Sequence, residues 1–405
     1  MRSGPLKMLT PLMLATWMAV TALGAAGPAW ASGPDGSSTG GLLEQELERQ
    51  SGALGLEDVQ AILDELNGEM RGDLPPINVK DVARMILRGE GPYTFAGFVS
   101  ALAARLGREV WAGSGLMARL VILALLCGLL QNMQSAFARK ETSELASAAC
   151  NLVLIILATG GFVLAMRTCQ GVIDRLVDFM EAMLPVMITL LAGLGAVTTA
   201  GLYNPVLVVS LEFVASFVRD AVMPIVVCAA CIDLVSKTFT RFKLTSLSDL
   251  LKQGSVLVTG VLMALFLGLV TAYGAAGSVS DGVAIKAAKF AASNFVPFIG
   301  KVLSDAVEVV IGSSLVLKNV VGVAGAMAVV AFTVFPLLKV LSLVVIYRVA
   351  GAVVQPLGGE QLVGGLSSVS NSLVLMMVMA LAVSVLFLVT LAIVVGAASA
   401  AVMVR

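Results

Sequence analysis

The sequence contains no histidine, and only 13% of its residues carry a formal charge. Without imidazole the chain cannot build a Ser-His-Asp triad, a Cys-His pair, a histidine metal site or a histidine pH switch. Lysine and arginine number 26, aspartate and glutamate also number 26, and the formal net charge at pH 7 is therefore zero. A balanced charge gives no overall basic field, so no nucleic-acid partner is expected.

Cysteine is scarce as well, with five residues in 405. Cys228 and Cys231 have the spacing of a thioredoxin-like redox motif, but they lie in an apolar run without the βαβ context of that motif. They are predicted to be small packing residues. The sequence has no cluster with metal-ligand spacing and no phosphate-binding loop. Asp220 and Asp233 lack the Gly-Asp pattern of intramembrane aspartyl proteases, so we expect no catalytic residue, no metal and no cofactor.

Apolar residues are abundant: 58% of the chain is hydrophobic, and the mean hydropathy is +0.97. A soluble domain is about half apolar and about a quarter charged. Several apolar runs reach the roughly 18 residues that a helix needs to cross the hydrocarbon core of a bilayer. The sequence therefore predicts an all-α, polytopic helical membrane protein that contacts membrane lipid.

The first 31 residues have the pattern of a secretory signal peptide. Arg2 and Lys7 form the positive n-region, residues 8–23 form the apolar h-region, and Ala29-Trp30-Ala31 is an A-x-A cleavage site before Ser32. An uncleaved first transmembrane helix is the alternative. Cleavage between Ala31 and Ser32 is favoured because polar, Gly/Ser-rich sequence follows at once.

Residues 32–113 are predicted to be a small helical segment outside the cytoplasm. The segment has 7 lysines and arginines against 13 aspartates and glutamates. Its apolar residues recur at helical spacing in three short stretches. A single cleaved signal peptide would leave this segment on the extracytoplasmic side.

Residues 114–181 are predicted to hold a first transmembrane pair and an outer loop. The spans are 116–136 and 146–166, joined by a loop that carries Arg139 and Lys140 and is therefore expected to be cytoplasmic. Residues 167–181 mix charges of both signs, which is typical of a helix on the outer membrane surface.

An apolar unit marked by proline then occurs twice, as repeat unit 1 (182–280) and repeat unit 2 (281–405). The prolines at 185 and 224 recur at 297 and 336, with one offset of 112. Each unit continues into positive charge and ends in an apolar run, 255–276 or 373–396. Repeated broken helices are how many membrane proteins build a site between two similar halves.

Two topologies fit the repeat. In the first, a re-entrant hairpin (182–204, and 292–317 in the second unit) precedes one crossing (206–235, and 319–346), with chain breaks near 201–205 and at 318–319. This scheme gives parallel repeats with the basic loop 236–252 and Arg348 in the cytoplasm, as the positive-inside rule favours. In the second, three full crossings per unit give inverted repeats.

Charged residues inside the apolar runs are the candidate functional residues, because a charge in a membrane segment is costly. Glu212 and Arg219 share a helix face, and either a hydrated interior or a structural ion pair accounts for them. A second stripe follows Pro297 at helical spacing. The candidate intramembrane or pore-lining residues are Glu212, Arg219, Asp220, Lys301, Asp305, Glu308 and Lys339.

Several stretches resemble the stage III sporulation protein AE family of endospore-forming bacteria, over roughly residues 112–405. Charged and proline positions recur in the family's order along these stretches, which include 184–205, 218–224, 281–290, 294–297, 318–322, 335–339 and 347–358.

The resemblance implies a non-enzymatic, multi-pass subunit of the secretion-like channel complex that joins mother cell and forespore. It implies a mother-cell membrane location and partners among the other stage III A-operon proteins, including an ATPase and a ring-forming subunit. The forespore protein Q would be an indirect partner. A stand-alone secondary transporter, with its site between the two repeats, is the alternative function.

Overall fold

The computed structural model describes residues 60, 64, 67–68, 95–136, 140–238, 244–295, 300–357 and 360–403. These residues are helical almost throughout, and the part of the chain so described contains no strand. The helices are α1 (Phe95–Ala112), α2 (Ser114–Ala136), α3 (Lys140–Gly193), α4 (Val197–Phe217), a π-helical turn (Val218–Val222), α5 (Met223–Thr238), α6 (Thr245–Phe295), α7 (Gly300–Val354), a 3-10 turn (Gln355–Leu357) and α8 (Glu360–Met403). The expected all-α class is confirmed. The signal peptide, its cleavage site and most of the 32–113 segment lie outside the described residues.

Four of the described helices contain segments long and apolar enough to cross a membrane. They are Leu152–Gly193, Thr245–Val283, Leu317–Val354 and Gln361–Gly396. The expected polytopic membrane protein is therefore confirmed.

A tight turn separates α3 from α4. Gly195 has φ of 85°, a left-handed conformation that glycine adopts at low cost. The amide of Gly195 donates to the carbonyl of Ala192 (2.9 Å), and the amide of Ala196 donates to that of Leu191 (3.1 Å). These two bonds form a Schellman motif, which ends α3 at Gly193. The chain break expected near residues 201–205 is therefore misplaced, and Pro205 lies inside α4.

Helix α6 returns antiparallel along α4 and α5. At one end Asp281 accepts from the backbone of Thr198, and at the other Lys252 donates to Asp233. The first helical pair is therefore α4–α5 with α6. The second helical pair, α7 with α8, is also antiparallel, since Lys318 in the first half of α7 donates to the carbonyl of Val395 near the end of α8.

The two pairs meet at one end of the bundle, which we call the basic end. It contains Asp233, Lys237, Lys252, Arg348 and Ser368. Ser368 on α8 donates to Asp233 on α5. Arg348 on α7 donates to Ser370, two residues along α8. The end of α5 and the turn after α7 therefore lie at the same end of the molecule.

The two helical pairs are related by an offset of 112 residues, and the related helices run in the same direction. It carries α4–α5 (197–238) onto 309–350 within α7, and the α6 segment 245–283 onto 357–395, which overlaps α8. The first helix of each pair runs towards the basic end and the second runs away from it. Same-direction pairs are the geometry of parallel repeats. The boundaries of the two units remain a sequence prediction, and residues 181–182 and 280–281 lie inside α3 and α6.

Two further expectations about helix ends are wrong. Residues 167–181 do not form a separate surface helix; they belong to α3, where Val172, Ile173 and Leu176 are fully buried. Residues 318–319 do not mark a break either, because α7 continues through them. The choice between re-entrant hairpins and three full crossings per unit stays a prediction.

The core lies where α3, α7 and α8 pack together. Phe179 of α3 contacts Phe332 of α7, with ring centroids 5.7 Å apart. Tyr347 of α7 is fully buried, and its hydroxyl donates to the carbonyl of Leu157 at 3.1 Å. Helix α1 lies against α7, where the guanidinium of Arg105 stands 5.1 Å above the ring centroid of Phe335.

Candidate functional site: charged networks within the bundle

A buried carboxylate connects three helices at the basic end. The Asp233 side chain is 3% exposed, and its Oδ2 accepts from Lys252 Nζ of α6 at 2.7 Å and from Lys237 Nζ at 3.2 Å. Ser368 Oγ of α8 donates to the same oxygen at 2.5 Å. Because Lys237 follows Asp233 by four residues, that pair forms within α5, whereas the other two contacts join separate helices. Asp233 therefore links the first helical pair to the second.

The environment of Asp233 makes it sensitive to substitution. Lys252 is only 17% exposed, so removal of its partner leaves a largely buried positive charge. Lys237 is 36% exposed, and its pair contributes little by comparison. Nearby, Ser248 of α6 donates to the carbonyl of Ala229 of α5 at 3.0 Å. The network therefore acts as a polar clamp between α5, α6 and α8.

A second network surrounds the π-helical turn. Two nitrogens of Arg219 donate to Asp220, Nε to Oδ1 at 2.8 Å and Nη2 to Oδ2 at 2.9 Å. Arg219 Nη1 also donates to Asp174 Oδ1 of α3 at 2.6 Å. Gln170 donates to the backbone carbonyl of Arg219 at 3.1 Å. The turn thus aims one guanidinium at two carboxylates, and π turns of this kind are frequent at functional sites.

An ion pair between Glu212 and Arg219, one of the two alternatives left open by the sequence, is not formed in the structure. Arg219 is hydrogen bonded to Asp174 and Asp220 instead. Glu212 is exposed on α4, beside Val209 and Phe213, which are 67% and 58% exposed. The five-residue π turn changes the helical phase next to Arg219, which a regular 3.6-residue spacing does not anticipate.

A second buried carboxylate lies at the opposite end of the bundle. Asp281 of α6 is 1% exposed, and its two oxygens accept from the amides of Thr198 and Thr199 at 2.8 and 2.9 Å. Ala196, the residue at the N-cap of α4, provides no side-chain cap. Asp281 therefore caps α4 from another helix, where a negative charge also complements the helix dipole. Gly277 lets the helices approach, since a Cβ there would lie 2.6 Å from Thr199 Oγ1.

Of the remaining intramembrane candidates, Lys339 has a described side chain. Lys339 is exposed on α7, remote in sequence from the π turn. Lys301, Asp305 and Glu308 lie in α7, but their side chains are outside the described residues. Ala31 and Ser32 are also outside them. Lys318, which was expected to mark a break, is instead buried within α7, and its Nζ donates to the carbonyl of Val395 at 2.7 Å.

Sequence reasoning missed several residues of these networks. The i, i+4 spacing of Asp233 and Lys237 could have indicated one ion pair. No local pattern could have indicated Asp174, Ser368 or Asp281, whose partners are 45, 135 and 82 or more residues away. No group of three or more potential metal ligands occurs within the described ranges.

Long apolar helices joined by buried charge networks define this chain as a polytopic helical membrane protein. The profile of the family described as Stage III sporulation protein AE matches residues 77–398, and the chain belongs to that family. The chain is 31% identical over 362 residues to Stage III sporulation protein AE of Bacillus subtilis (strain 168), covering 89% of this chain and 90% of that one. No solved structure matches. The family resemblance seen in the sequence is confirmed, and it supports a role in sporulation.

Proposed function

We propose that this chain is a non-enzymatic, multi-pass membrane subunit of the channel complex between mother cell and forespore. The observation that carries the proposal is the family match over residues 77–398, which covers the whole described bundle from α1 to most of α8. The architecture fits a membrane subunit, because its buried carboxylates, Asp233 and Asp281, connect separate helices.

The proposal places the chain in the mother-cell membrane around the forespore. Residues 32–94 face the space outside the mother-cell cytoplasm, and the basic end faces the cytoplasm. The outer segment ends before α1, because Arg105 of α1 stacks on Phe335 and Gly113 comes close to Ile346, near the basic end. The charge distribution supports this orientation, since Lys237, Lys252 and Arg348 lie at one end and positive residues favour the cytoplasmic side.

The proposed partners are the other stage III A-operon proteins, including the cytoplasmic ATPase and the ring-forming subunit, with the forespore protein Q as an indirect partner. A tagged chain purified from the membranes of sporulating cells is expected to retain these proteins, while an untagged strain controls for background. Asp249→Asn, a change at an exposed position of α6, should retain them equally.

A different result would contradict the proposal. If the tagged chain accumulates normally, supports spore formation and still purifies alone, it is not a subunit of the complex. Substrate-dependent transport by the purified chain in vesicles would then favour the stand-alone transporter.

A further inference from the structure

One side of the bundle carries a stripe of charge midway along α3. Arg167, Asp174, Asp178 and Glu181 fall within an arc of about 60° when successive residues are placed 100° apart. All four side chains are exposed or half-exposed, and so is the neighbouring Arg175. The opposite side of the same stretch packs into the core.

Helix α4 and the π turn extend this stripe. Arg219 joins it through Asp174, while Glu212 and Asp220 are exposed and Ser216 is half-exposed. We call the combined surface the charged face. It consists of Arg167, Asp174, Arg175, Asp178, Glu181, Glu212, Ser216, Arg219 and Asp220.

Hydrogen bonds fix the height of the charged face relative to α6. The Asp174–Arg219 contact aligns α3 with the π turn. The contacts of Asp281 with Thr198 and of Lys252 with Asp233 align α6 with α4 and α5. Counting along these antiparallel helices places residues 167–181 of α3 level with roughly residues 256–270 of α6.

The surface of α6 at that height is wholly apolar. Its exposed residues between 256 and 270 are valine, leucine, alanine and glycine, and Val261 and Leu265 are 52% and 66% exposed. The polar start of α6, with Asp249 and Lys252, lies nearer the basic end. The apolar segment that follows it has the length of a membrane crossing.

A planar bilayer surrounds the same range of heights on every side of a helical bundle. If lipid covers the apolar surface of α6, the charged face lies at the same depth and cannot face lipid, because ionisable residues at that depth face a protein interior or a water-filled cavity. A dry protein contact is disfavoured too, because it would remove water from exposed charges such as Arg167, Asp178 and Glu181. Asp174 and Asp220 remain 47% and 60% exposed even though they are paired with Arg219.

We propose that the charged face is one wall of a water-filled passage at membrane depth, open to water and small hydrophilic solutes. The face lies on the outside of the bundle formed by the described residues, and we assign the opposite wall to another subunit of the assembly. The inference rests on the proposed function only in requiring that assembly. It assigns to the passage the 167–181 stretch of α3, together with Glu212, Ser216 and the π turn.

Paired glycines offer a matched test. Gly171 lies within the charged stripe of α3, and Gly260 lies at the same height on the exposed surface of α6. A Cβ at either position would meet no atom within 4 Å, so cysteine fits at both. Ser216→Cys and Gly268→Cys form a second pair that removes no charge.

Each cysteine is introduced alone, with the native cysteines replaced, into chains that still support spore formation. Membranes from sporulating cells, opened so that both sides are accessible, are treated with a small charged methanethiosulfonate reagent. Gly171→Cys and Ser216→Cys should react at least about tenfold faster than Gly260→Cys and Gly268→Cys, because the reactive thiolate forms only in contact with water.

Two results overturn the proposal. Slow reaction at all four positions means that protein or lipid covers the charged face. Fast reaction at all four means that this height lies outside the bilayer. Neither result refutes the proposed function, because co-purification of the partner proteins tests that separately.

Discussion

Replacement of Asp233 by asparagine should loosen the whole bundle. The substitution keeps the side-chain size but removes the charge that holds Lys252 and Ser368 at 2.7 and 2.5 Å. Converting two charge-assisted hydrogen bonds to neutral ones costs about 1 kcal/mol each. The charge left on Lys252, which is 17% exposed, adds about 1 kcal/mol more. We assign no further loss of stability to the contact with Lys237, because that side chain is 36% exposed to solvent.

The expected loss of about 3 kcal/mol corresponds to a rise on the order of a hundredfold in the population of the unfolded chain. Cys169, which is fully buried and free in α3, can report it. With the other four cysteines replaced, the rate at which a thiol reagent labels Cys169 in detergent should rise by the same factor. Asp249→Asn, at an exposed position of α6, should change the rate by no more than about twofold.

A double-mutant cycle tests the cause. Lys252→Met removes the stranded charge, so it should recover part of the stability lost in Asp233→Asn. If the Asp233→Asn chain labels no faster than the Asp249→Asn chain, or if the two changes are simply additive, the clamp contributes nothing and the reasoning fails.

Two further substitutions test the α3–α4 turn and the π turn, again by labelling of Cys169. Gly195→Ala places a Cβ at φ of 85° and should lower the free energy of unfolding by about 1–2 kcal/mol. The control is Gly193→Ala, where a Cβ meets nothing within 4 Å and no destabilisation is expected. Equal effects of the two changes would contradict the Schellman turn. Asp174→Asn should lower the free energy of unfolding by up to about 1 kcal/mol, because it weakens a half-exposed contact with Arg219. Glu212→Gln should leave the labelling rate unchanged. A larger effect of Glu212→Gln than of Asp174→Asn would favour an ion pair between Glu212 and Arg219.

The membrane class and the positions of most spans could be predicted from hydropathy. The predicted spans 255–276 and 373–396 lie inside α6 and α8, and 319–346 lies inside α7. These predictions succeed because roughly 20 apolar residues have few alternatives to a membrane helix. The direction of the two helical pairs also follows from the charge pattern, since both pairs turn at the basic end.

Helix ends were harder to predict, because proline and glycine signals are ambiguous in long membrane helices. Pro185, Pro205 and Pro336 all lie inside helices, where neighbouring helices can satisfy the freed backbone groups. The break that does occur depends on Gly195, one glycine among several in that stretch. Only its φ angle, set by the packing of α3 against α4, distinguishes it.

The charged networks could be anticipated as a class but not as pairs. A charge inside an apolar run predicts some partner. Arg219 and Asp220 were both named as candidate intramembrane residues, but the contact between them was not predicted. The identity of the third member, Asp174, depends on how α4 and the π turn pack back along α3. The same holds for Ser368, which reaches Asp233 from α8.

The most direct test of the parallel helical pairs is side-specific labelling of three single cysteines. Ser246→Cys and Gly351→Cys lie at the basic end, whereas Val279→Cys, 70% exposed in the native chain, lies towards the other end of α6. In intact vegetative cells that express the chain in the plasma membrane, an impermeant thiol reagent should label Val279→Cys and should label the other two only after the membrane is opened. Opposite accessibility of Ser246→Cys and Gly351→Cys would contradict the shared direction of the two pairs.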